Sequence, residues 1–348
     1  MNDISKKKNY YKIGTELRKY LKRYSREFDL PISYSDLNHY ENSVSLYDKA
    51  GKDTLWETVF YTQTEMEEIN NSLCYVYALL KTEGDMTVME HLYVNRIDYC
   101  PFGNSKPFRI RITNKFNDNY DYFYVKTADA SRIYGLELEH ILSPNRISYI
   151  VDGSTIIEEH IAGIPGDVFI KDWLDTDITL NRTRLAKEFV KFNERCFVRL
   201  LGDMRSYNYV IDVTPDFDDV QYRIKAIDFD QQTYEGRKTM YLPQYFKDNN
   251  PIVEFCSNFL NTETIRQYQK EERTMIANRV KVSRYRLKDL GDCMENDTIS
   301  TPEKIDQLKH ELAEHFDEPA FLDCKNMGEI LKTRLYILIY ANKQVFTA

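Results

Sequence analysis

Three oxygen-bearing side chains stand in two short polar stretches of this sequence. Asp203 and Asn208 lie five residues apart in the stretch 201–208, and Asp228 follows the apolar, strand-like run 224–227. A carboxylate can accept the proton of an attacking hydroxyl, while an amide and a second carboxylate can hold Mg²⁺ against the phosphates of ATP. Mg²⁺ prefers oxygen ligands, so this set suits it better than His or Cys would. The pattern predicts a phosphoryl-transfer site.

The composition is that of a globular, acidic protein. The chain has 348 residues, which suggests about two domains or one large two-lobed domain. Apolar residues make up 42% and charged residues 29%, which argues against a disordered chain. The net charge of −8 disfavours a nucleic-acid partner, because phosphate binding needs a basic surface. Residues 6–26 are locally basic, which suits either a solvated helix face or an anionic partner.

The sequence predicts neither a membrane span nor a secretory signal. The longest apolar run, 335–341, is far shorter than the roughly 20 residues that a helix needs to cross a bilayer. Residues 1–30 lack the apolar core of a signal peptide. The six cysteines show no CxxC spacing, which disfavours zinc and disulfide frameworks and favours a reducing compartment. We therefore expect a cytoplasmic protein without a membrane partner.

The spacing of apolar residues predicts helices at the N-terminus and strands after them. Residues 1–87 look mostly helical, because apolar side chains recur at helical spacing. Within 88–161, strict alternation over 109–113 predicts a strand, and a helix is expected over 132–142. An Asp-Gly turn at 152–153, flanked by apolar runs, predicts a hairpin.

The rest of the chain, 162–348, looks mainly helical. Leu185, Phe189, Phe192 and Cys196 form one apolar stripe that ends just before Gly202. Two short apolar runs around the turn at 214–216 predict a small hairpin, with Asn208 at one end and Asp228 at the other. The order of elements predicts an α+β chain with a strand-rich lobe followed by a helical lobe.

Four segments, in this order along the chain, resemble the protein-kinase-like superfamily, which includes protein kinases and the aminoglycoside and choline phosphotransferases. The segments are Tyr124-Val125-Lys126 at a strand end, a helix glutamate (Glu137, with Glu139 as the alternative), the stretch Glu158-Glu159-His160-Ile161-Ala162-Gly163, and the two loops with Asp203, Asn208 and Asp228. The resemblance implies a two-lobed fold, with a small antiparallel-sheet N-lobe over 88–161, a helical C-lobe over 162–348 and an N-terminal helical extension over 1–87.

The resemblance also assigns roles on the nucleotide side. It implies that ATP lies between the lobes, that Lys126 contacts the α- and β-phosphates, and that Glu137 pairs with Lys126. Glu159 would offer its carbonyl, and Ile161 its N–H, to the edge of the adenine.

On the side of the transferred phosphate, the resemblance makes Asp203 the catalytic base and Asn208 and Asp228 the ligands of Mg²⁺. Asp230 adds a further acid at the metal, as in choline-kinase-like members. Arg205 matches a residue that neutralises the transferring phosphate.

Several family features are missing. Leu201 and Gly202 stand where a histidine usually precedes the base. No G-x-G-x-x-G motif is present, and the nearest candidate for a phosphate-covering loop, 103–106, also suits an ordinary surface turn. No Ala-Pro-Glu segment follows Asp228; the aromatic stretch 241–246 either shapes an acceptor site or packs in the core.

The resemblance therefore predicts a Mg-ATP-dependent phosphotransferase that moves the γ-phosphate to a hydroxyl. A small-molecule acceptor is slightly favoured over a protein. Two alternatives stay open, a pseudokinase that serves as a nucleotide-binding scaffold, and transfer of AMP from the same cleft.

Overall fold

The chain is an α+β protein that divides into two compact units, each made of two separate segments. The computed structural model describes residues 8–82, 85–174, 176, 180–217 and 219–346. The first unit comprises Met1–Asp129 and Ile147–His160, and the second comprises Ala130–Arg146 and Ile161–Ala348. None of the helices in the described part of the chain combines the length and the apolar character that a membrane crossing requires.

The strands, in chain order, are β1 (Asn42–Tyr47), β2 (Asp53–Phe60), β3 (Leu92–Tyr99), β4 (Phe108–Asn114), β5 (Tyr120–Thr127), β6 (Tyr149–Asp152), β7 (Thr155–Glu159), β8 (Ile164–Pro165), β9 (Tyr209–Asp216) and β10 (Asp219–Ala226). The helices are α1 (Thr15–Arg23), α2 (Tyr34–Leu37), α3 (Gln63–Thr82), α4 (Ala130–Leu142), α5 (Gly166–Asp172), α6 (Arg182–Arg199), α7 (Asn250–Phe259), α8 (Thr262–Val282), α9 (Arg284–Glu295), α10 (Pro302–Phe316) and α11 (Met327–Phe346).

The first unit is built on a seven-stranded sheet in which every pair of neighbours is antiparallel. The strand order is β1-β2-β3-β4-β5-β7-β6. The predicted alternation over 109–113 is that of β4, which buries Phe108, Ile110 and Ile112. Leu73 and Val76 of α3 belong to the same buried cluster, so this helix packs on the apolar face of the sheet.

Two turns of this sheet contain a residue with a positive φ angle. Asp118, between β4 and β5, has a φ of 55°, and Gly153, between β6 and β7, has a φ of 53°. Both values lie in the left-handed region, which Asp tolerates and Gly adopts without steric cost. The predicted hairpin over 149–161 is thereby confirmed as β6 and β7.

The N-terminal segment differs from the prediction. Helices α1 and α3 lie where apolar spacing predicts helices, but β1 and β2 extend the sheet and make 1–87 part of the first unit. A separate, mostly helical extension over 1–87 is therefore wrong. Most side chains of the two strands are at least partly exposed, so their alternation carries little hydrophobic signal. Residues 1–7 and 83–84 of this segment lie outside the described residues.

In the second unit, α6 buries the predicted stripe and packs against α7, α8 and β10. Strands β9 and β10 form the predicted hairpin, and β8 pairs with β9 to complete a three-stranded sheet in the order β10-β9-β8. Helix α4 also belongs to this unit, whereas the sequence places it in a lobe over 88–161. The fold thus brings the segments with Asp203, Asn208 and Asp228 into one unit.

Candidate active site

Asp203 lies in a loop that begins with a left-handed turn after α6. Leu200 has a φ of 57° and Asp203 a φ of 58°, in a region that few residues other than glycine adopt. Backbone hydrogen bonds hold the loop in place. The N–H of Gly202 donates to the carbonyl of Gln231 (3.2 Å), and the N–H of Asp203 donates to the carbonyl of Met240 (3.0 Å). The loop therefore presents the Asp203 side chain from a defined backbone.

The carboxylate of Asp203 is bound by Arg205. The Nε atom of Arg205 lies 3.0 Å from Oδ1 of Asp203, and Nη1 lies 3.2 Å from Oδ2 of Asp248. Burial raises the pKa of Asp203 above its ordinary value and Asp228 raises it further, while Arg205 lowers it. A raised pKa makes a carboxylate a stronger base. Arg205, predicted to meet the transferring phosphate, holds the predicted base in this structure.

Asn208 is held against the same loop. Its Nδ2 donates to the carbonyl of Asp203 (2.7 Å), and its own carbonyl accepts from the N–H of Ile227 (3.0 Å). The second bond joins the start of β9 to the residue just before Asp228. Asn208 is buried. Its amide nitrogen is used in the bond to Asp203, so its amide oxygen is the atom that could bind a metal. The structure therefore brings Asp203, Asn208 and Asp228 together.

Asp228 and Asp230 share one arginine, Arg132 of α4. Nη2 of Arg132 lies 2.7 Å from Oδ1 of Asp228, and Nε lies 2.7 Å from Oδ1 of Asp230. The Arg132 side chain is only 3% exposed. The backbone N–H of Asp230 also donates to Oδ1 of Asp228 at 3.1 Å. Both predicted metal carboxylates thus converge on a single buried positive charge.

The residues of this site fit a magnesium ion that is bound together with phosphate. Asp228, Asp230 and Asn208 offer two carboxylates and an amide oxygen, and Mg²⁺ usually takes one or two carboxylates with phosphate and water as further ligands. In the described part of the chain, no group of three or more His, Cys, Asp or Glu side chains is placed to hold a metal. With these donors, phosphate and water would supply the remaining ligands of the ion.

Lys126, in the first unit, is bound by a glutamate on the neighbouring strand. Its Nζ lies 2.7 Å from Oε2 of Glu158, and both side chains are less than a tenth exposed. Lys126 is the second-last residue of β5, and Glu158 lies on β7, which pairs with β5. The predicted pair of Lys126 with Glu137 joins residues of the two units and stays a prediction.

The two candidate helix glutamates each have an arginine partner in the second unit. Arg286 binds Glu137 with two nitrogens, Nε at 3.0 Å from Oε2 and Nη2 at 2.9 Å from Oε1. Glu139 binds Arg199, and both of these side chains are buried. Since a buried charge is stable only when it is paired, these contacts account for the presence of acids in an otherwise apolar helix.

Glu159 and Ile161 lie on either side of the boundary between the units. The Glu159 N–H donates to the carbonyl of Ser148 (3.0 Å), its Oε1 accepts from the Ser148 N–H (2.6 Å), and Oε2 binds Lys81 (3.0 Å). These contacts hold Glu159 at the end of β7. The role of its carbonyl and of the Ile161 N–H toward adenine stays a prediction.

The aromatic stretch 241–246 serves partly as core and partly as surface. Tyr241 is fully buried and donates its hydroxyl hydrogen to the carbonyl of Glu235, whereas Tyr245 is exposed. Phe246 places its ring centroid 5.2 Å from the guanidinium of Arg205. The stretch therefore packs in the core through Tyr241 and contacts the predicted catalytic loop through Phe246. Its role in an acceptor site stays a prediction.

Sequence reasoning missed Arg132 and Glu158. Arg132 is a charged residue in a helix whose described side chains are almost all buried, and such a residue needs an ionic partner. An arginine in such an apolar helix could have been predicted to form an ion pair. Its partners could not have been predicted, because Asp228 lies 96 residues away. Glu158 could have been found from the antiparallel pairing of β5 with β7, which sets it near Lys126.

Comparisons with known proteins give little support for a family. No family model matches the sequence, and no curated protein matches it. Among solved structures, the chain is similar to one titled "Titin kinase and its flanking domains", with 12% identity and a TM-score of 0.26. The match covers 64% of this chain and 51% of that one, so the chain spans about half the length of that structure. A TM-score this low does not identify the fold.

Proposed function

We propose that the protein is a Mg-ATP-dependent phosphotransferase that moves the γ-phosphate to a hydroxyl acceptor. One observation supports this most directly. Asp203 and Asn208 come from one loop and Asp228 from another, and the hydrogen bonds of Asn208 with Asp203 and with Ile227 hold the two loops together. A base and two oxygen ligands are the side chains that phosphoryl transfer requires of a protein.

In this proposal each residue has a role that its contacts support. Asp203 orients the acceptor hydroxyl and takes its proton, helped by the burial that raises its pKa. Arg205 positions Asp203 through the contact between Nε and Oδ1. Asn208, Asp228 and Asp230 would hold Mg²⁺, which when bound supplies charge that offsets the phosphates. Lys126, steadied by Glu158, keeps the role toward the α- and β-phosphates that the resemblance implies.

A small hydroxyl-bearing molecule is the acceptor that we favour over a protein. The loop after β10 carries an acid at position 230, as in small-molecule members of the superfamily that the sequence resembles. Phe246 and the exposed Tyr245 lie next to the loop with Asp203 and Arg205, where they could shape a compact acceptor site.

The test compares three purified variants with the wild type. Asp228→Ala should abolish Mg-ATP-dependent turnover while the protein stays folded. Asp203→Asn should still bind nucleotide, and transfer from γ-labelled ATP should fall by about 10² to 10⁴-fold, the usual contribution of a general base. Asp216→Asn, which changes an exposed carboxylate on β9, is the matched control and should act as wild type. Unchanged turnover in Asp228→Ala would exclude the proposal.

A nucleotide-binding scaffold without transfer is the second candidate, and the position of Arg132 favours it. A guanidinium already neutralises both metal carboxylates, as it would in a protein that binds no metal. Thermal-shift titrations with ATP, with and without Mg²⁺, distinguish the candidates when read beside ATP consumption. Binding without consumption supports the scaffold, and a product that is heavier by a whole nucleotide identifies AMP transfer instead.

A further inference from the structure

The second unit contains a small apolar cavity whose lining includes none of the candidate active-site residues. Its volume is about 260 Å³, and helices α4, α8, α9 and α11 contribute its walls. Leu138, Leu287, Leu335 and Ile339 are among the lining residues. The cavity is open to solvent on one side, and apolar groups enter such a space because burial of apolar surface is favourable. The space therefore suits the hydrocarbon part of a small ligand.

Gly291 supplies part of this space. It lies within α9 and lines the cavity, and a Cβ atom added to it would meet no other atom within 4 Å. A glycine inside a helix costs about 1 kcal/mol relative to alanine. No close approach of another segment requires glycine here, so what the residue provides is open volume. The chain thus carries a helix-weakening residue in the lining of the cavity, at a position where a side chain would have room.

The rim of the cavity is basic, and its cations differ in their partners. Lys288 pairs with Asp292 at 3.7 Å, and Lys332 pairs with Glu295 at 2.5 Å. Arg284 is exposed and donates to the hydroxyl of Tyr285 at 2.9 Å. Within the part of the chain that the structure describes, no carboxylate forms an ion pair with Arg284. Its guanidinium can therefore accept an anion from outside the protein.

We propose that this cavity binds a medium-chain alkyl carboxylate, such as a fatty acid. The alkyl chain would enter the cavity, because burial of apolar surface is favourable and the exposed lining is mostly apolar. The carboxylate would stay at the rim, where Arg284 can donate two charge-assisted hydrogen bonds. The proposal is independent of the proposed transferase activity, because the two sites share no residues.

Isothermal titration calorimetry of the full chain with decanoate, below its micelle concentration, tests the proposal. Wild type should bind one decanoate. Gly291→Met should strongly weaken binding, because Gly291 lines the cavity and a side chain added there has room to occupy part of the space that the alkyl chain would use. Gly291→Ala is the matched control. It also replaces the glycine that weakens the helix, but it leaves most of the cavity volume open, so binding should persist. Lack of saturable binding to wild type, or equal binding by Gly291→Met, would overturn the proposal.

The head group is tested with a second variant and two further probes. Arg284→Gln should weaken decanoate binding about tenfold, as expected when a hydrogen bond to a charged group is lost. The same variant should bind decanol as wild type does, because decanol carries no charge. Decyltrimethylammonium should bind wild type more weakly than decanoate. If the cation and the carboxylate bind equally well, the anchoring role of Arg284 is wrong.

Discussion

Arg132 is the residue that most affects how the candidate site could work. Its guanidinium lies 2.7 Å from both Asp228 and Asp230 and is nearly excluded from solvent. Removal of one partner from a buried ion pair costs about 3–5 kcal/mol, because the other charge is left without compensation. A divalent cation at the same carboxylates would have to compete with this arginine or share the carboxylates with it.

Replacement of Arg132 should therefore couple protein stability to Mg²⁺. We expect Arg132→Met to lower the melting temperature in the absence of divalent cations, since two carboxylates lose their counter-charge. Added Mg²⁺ should restore part of that loss by binding the folded state. Melting temperatures measured across a Mg²⁺ titration test this. Arg146→Met, at an exposed position of the same unit, is the control. An equal Mg²⁺ response in wild type and Arg132→Met would contradict the expectation.

His160 makes the stability of the first unit depend on pH. Burial lowers the pKa of His160 below its ordinary value, and Lys81 and Arg109 also lower it, against the opposing effect of Asp121. The unfolded chain therefore binds a proton more readily than the folded one. The contribution of His160 is fully present above about pH 6.5, the ordinary pKa, and is lost as pH falls through the lower pKa of the folded state.

The variant His160→Phe tests this pH dependence. The free energy of unfolding of wild type, relative to that of His160→Phe, should fall as the pH is lowered from about 8 to about 5. The midpoints of urea unfolding measure this difference. Tyr124→Phe is the control, because it removes the hydrogen bond to Nδ1 of His160 (3.2 Å) but keeps the imidazole. This control should retain the pH dependence of wild type. Parallel curves for wild type and His160→Phe would show that protonation of His160 is not linked to folding.

At the scale of elements, α4 is held in the second unit by ionic contacts with distant segments. Arg132, Glu137 and Glu139 pair with Asp228, Arg286 and Arg199, which lie in the loop after β10, in α9 and in α6. Helical spacing predicts α4 from its own residues, because that signal is local. Its place in the fold depends on partners 60 to 149 residues away, which local periodicity cannot indicate.

The same contrast separates the elements that the sequence predicts from those that it does not. Strand β4 alternates clearly because one of its faces is buried, and the β6–β7 hairpin has an Asp-Gly turn. Strands β1 and β2 have mostly exposed side chains, so no hydrophobic pattern distinguishes them. The spacing of Asp203, Asn208 and Asp228 predicted a common site because each lies close to the end of a helix or strand that the sequence predicts. Arg132 could not be added, since it reaches the site only through tertiary packing.

Close packing of α4 on the loop after β10 leads to a third prediction. A Cβ atom at Gly135 would lie 2.9 Å from Cβ of Phe229 and 3.2 Å from Cβ of Gln232. Gly135→Ala should therefore displace the loop with Asp228 and Asp230, at a cost of about 1–3 kcal/mol. The cost should exceed the roughly 1 kcal/mol that alanine gains in a helix.

Urea unfolding measures the effect at Gly135, and so does a titration with Mg-ATP if the proposed function is right. The free energy of unfolding and the affinity for Mg-ATP should both fall in Gly135→Ala. The control is Gly291→Ala in α9, where an added Cβ meets nothing, and this variant should gain stability from its better helix propensity. A gain of stability in Gly135→Ala, like that of the control, would show that the loop adapts to α4 without strain.

At the scale of the whole molecule, the chain passes between its two units three times. Residues 1–129 and 147–160 form the first, and 130–146 and 161–348 form the second. Neither unit is a continuous segment, so the chain cannot be divided at one point into independent halves. The segment 1–87 is the clearest case, because it supplies two strands and a helix to a sheet whose other strands come later.

A chain that begins at residue 88 should therefore fail to fold its first unit. The deletion removes α3, whose Leu73 and Val76 share a buried cluster with Phe108 and Ile110 of β4. Loss of one large buried side chain typically costs about 2–5 kcal/mol, and this deletion removes many, so the cost should exceed the whole stability of an ordinary domain.

Near-ultraviolet circular dichroism and cooperative urea unfolding report the result. Production together with residues 1–87 as a separate polypeptide should restore part of the native signal, since the missing strands and helix can dock again. A cooperative, native-like transition in the shortened chain alone would mean that 1–87 is a dispensable extension after all.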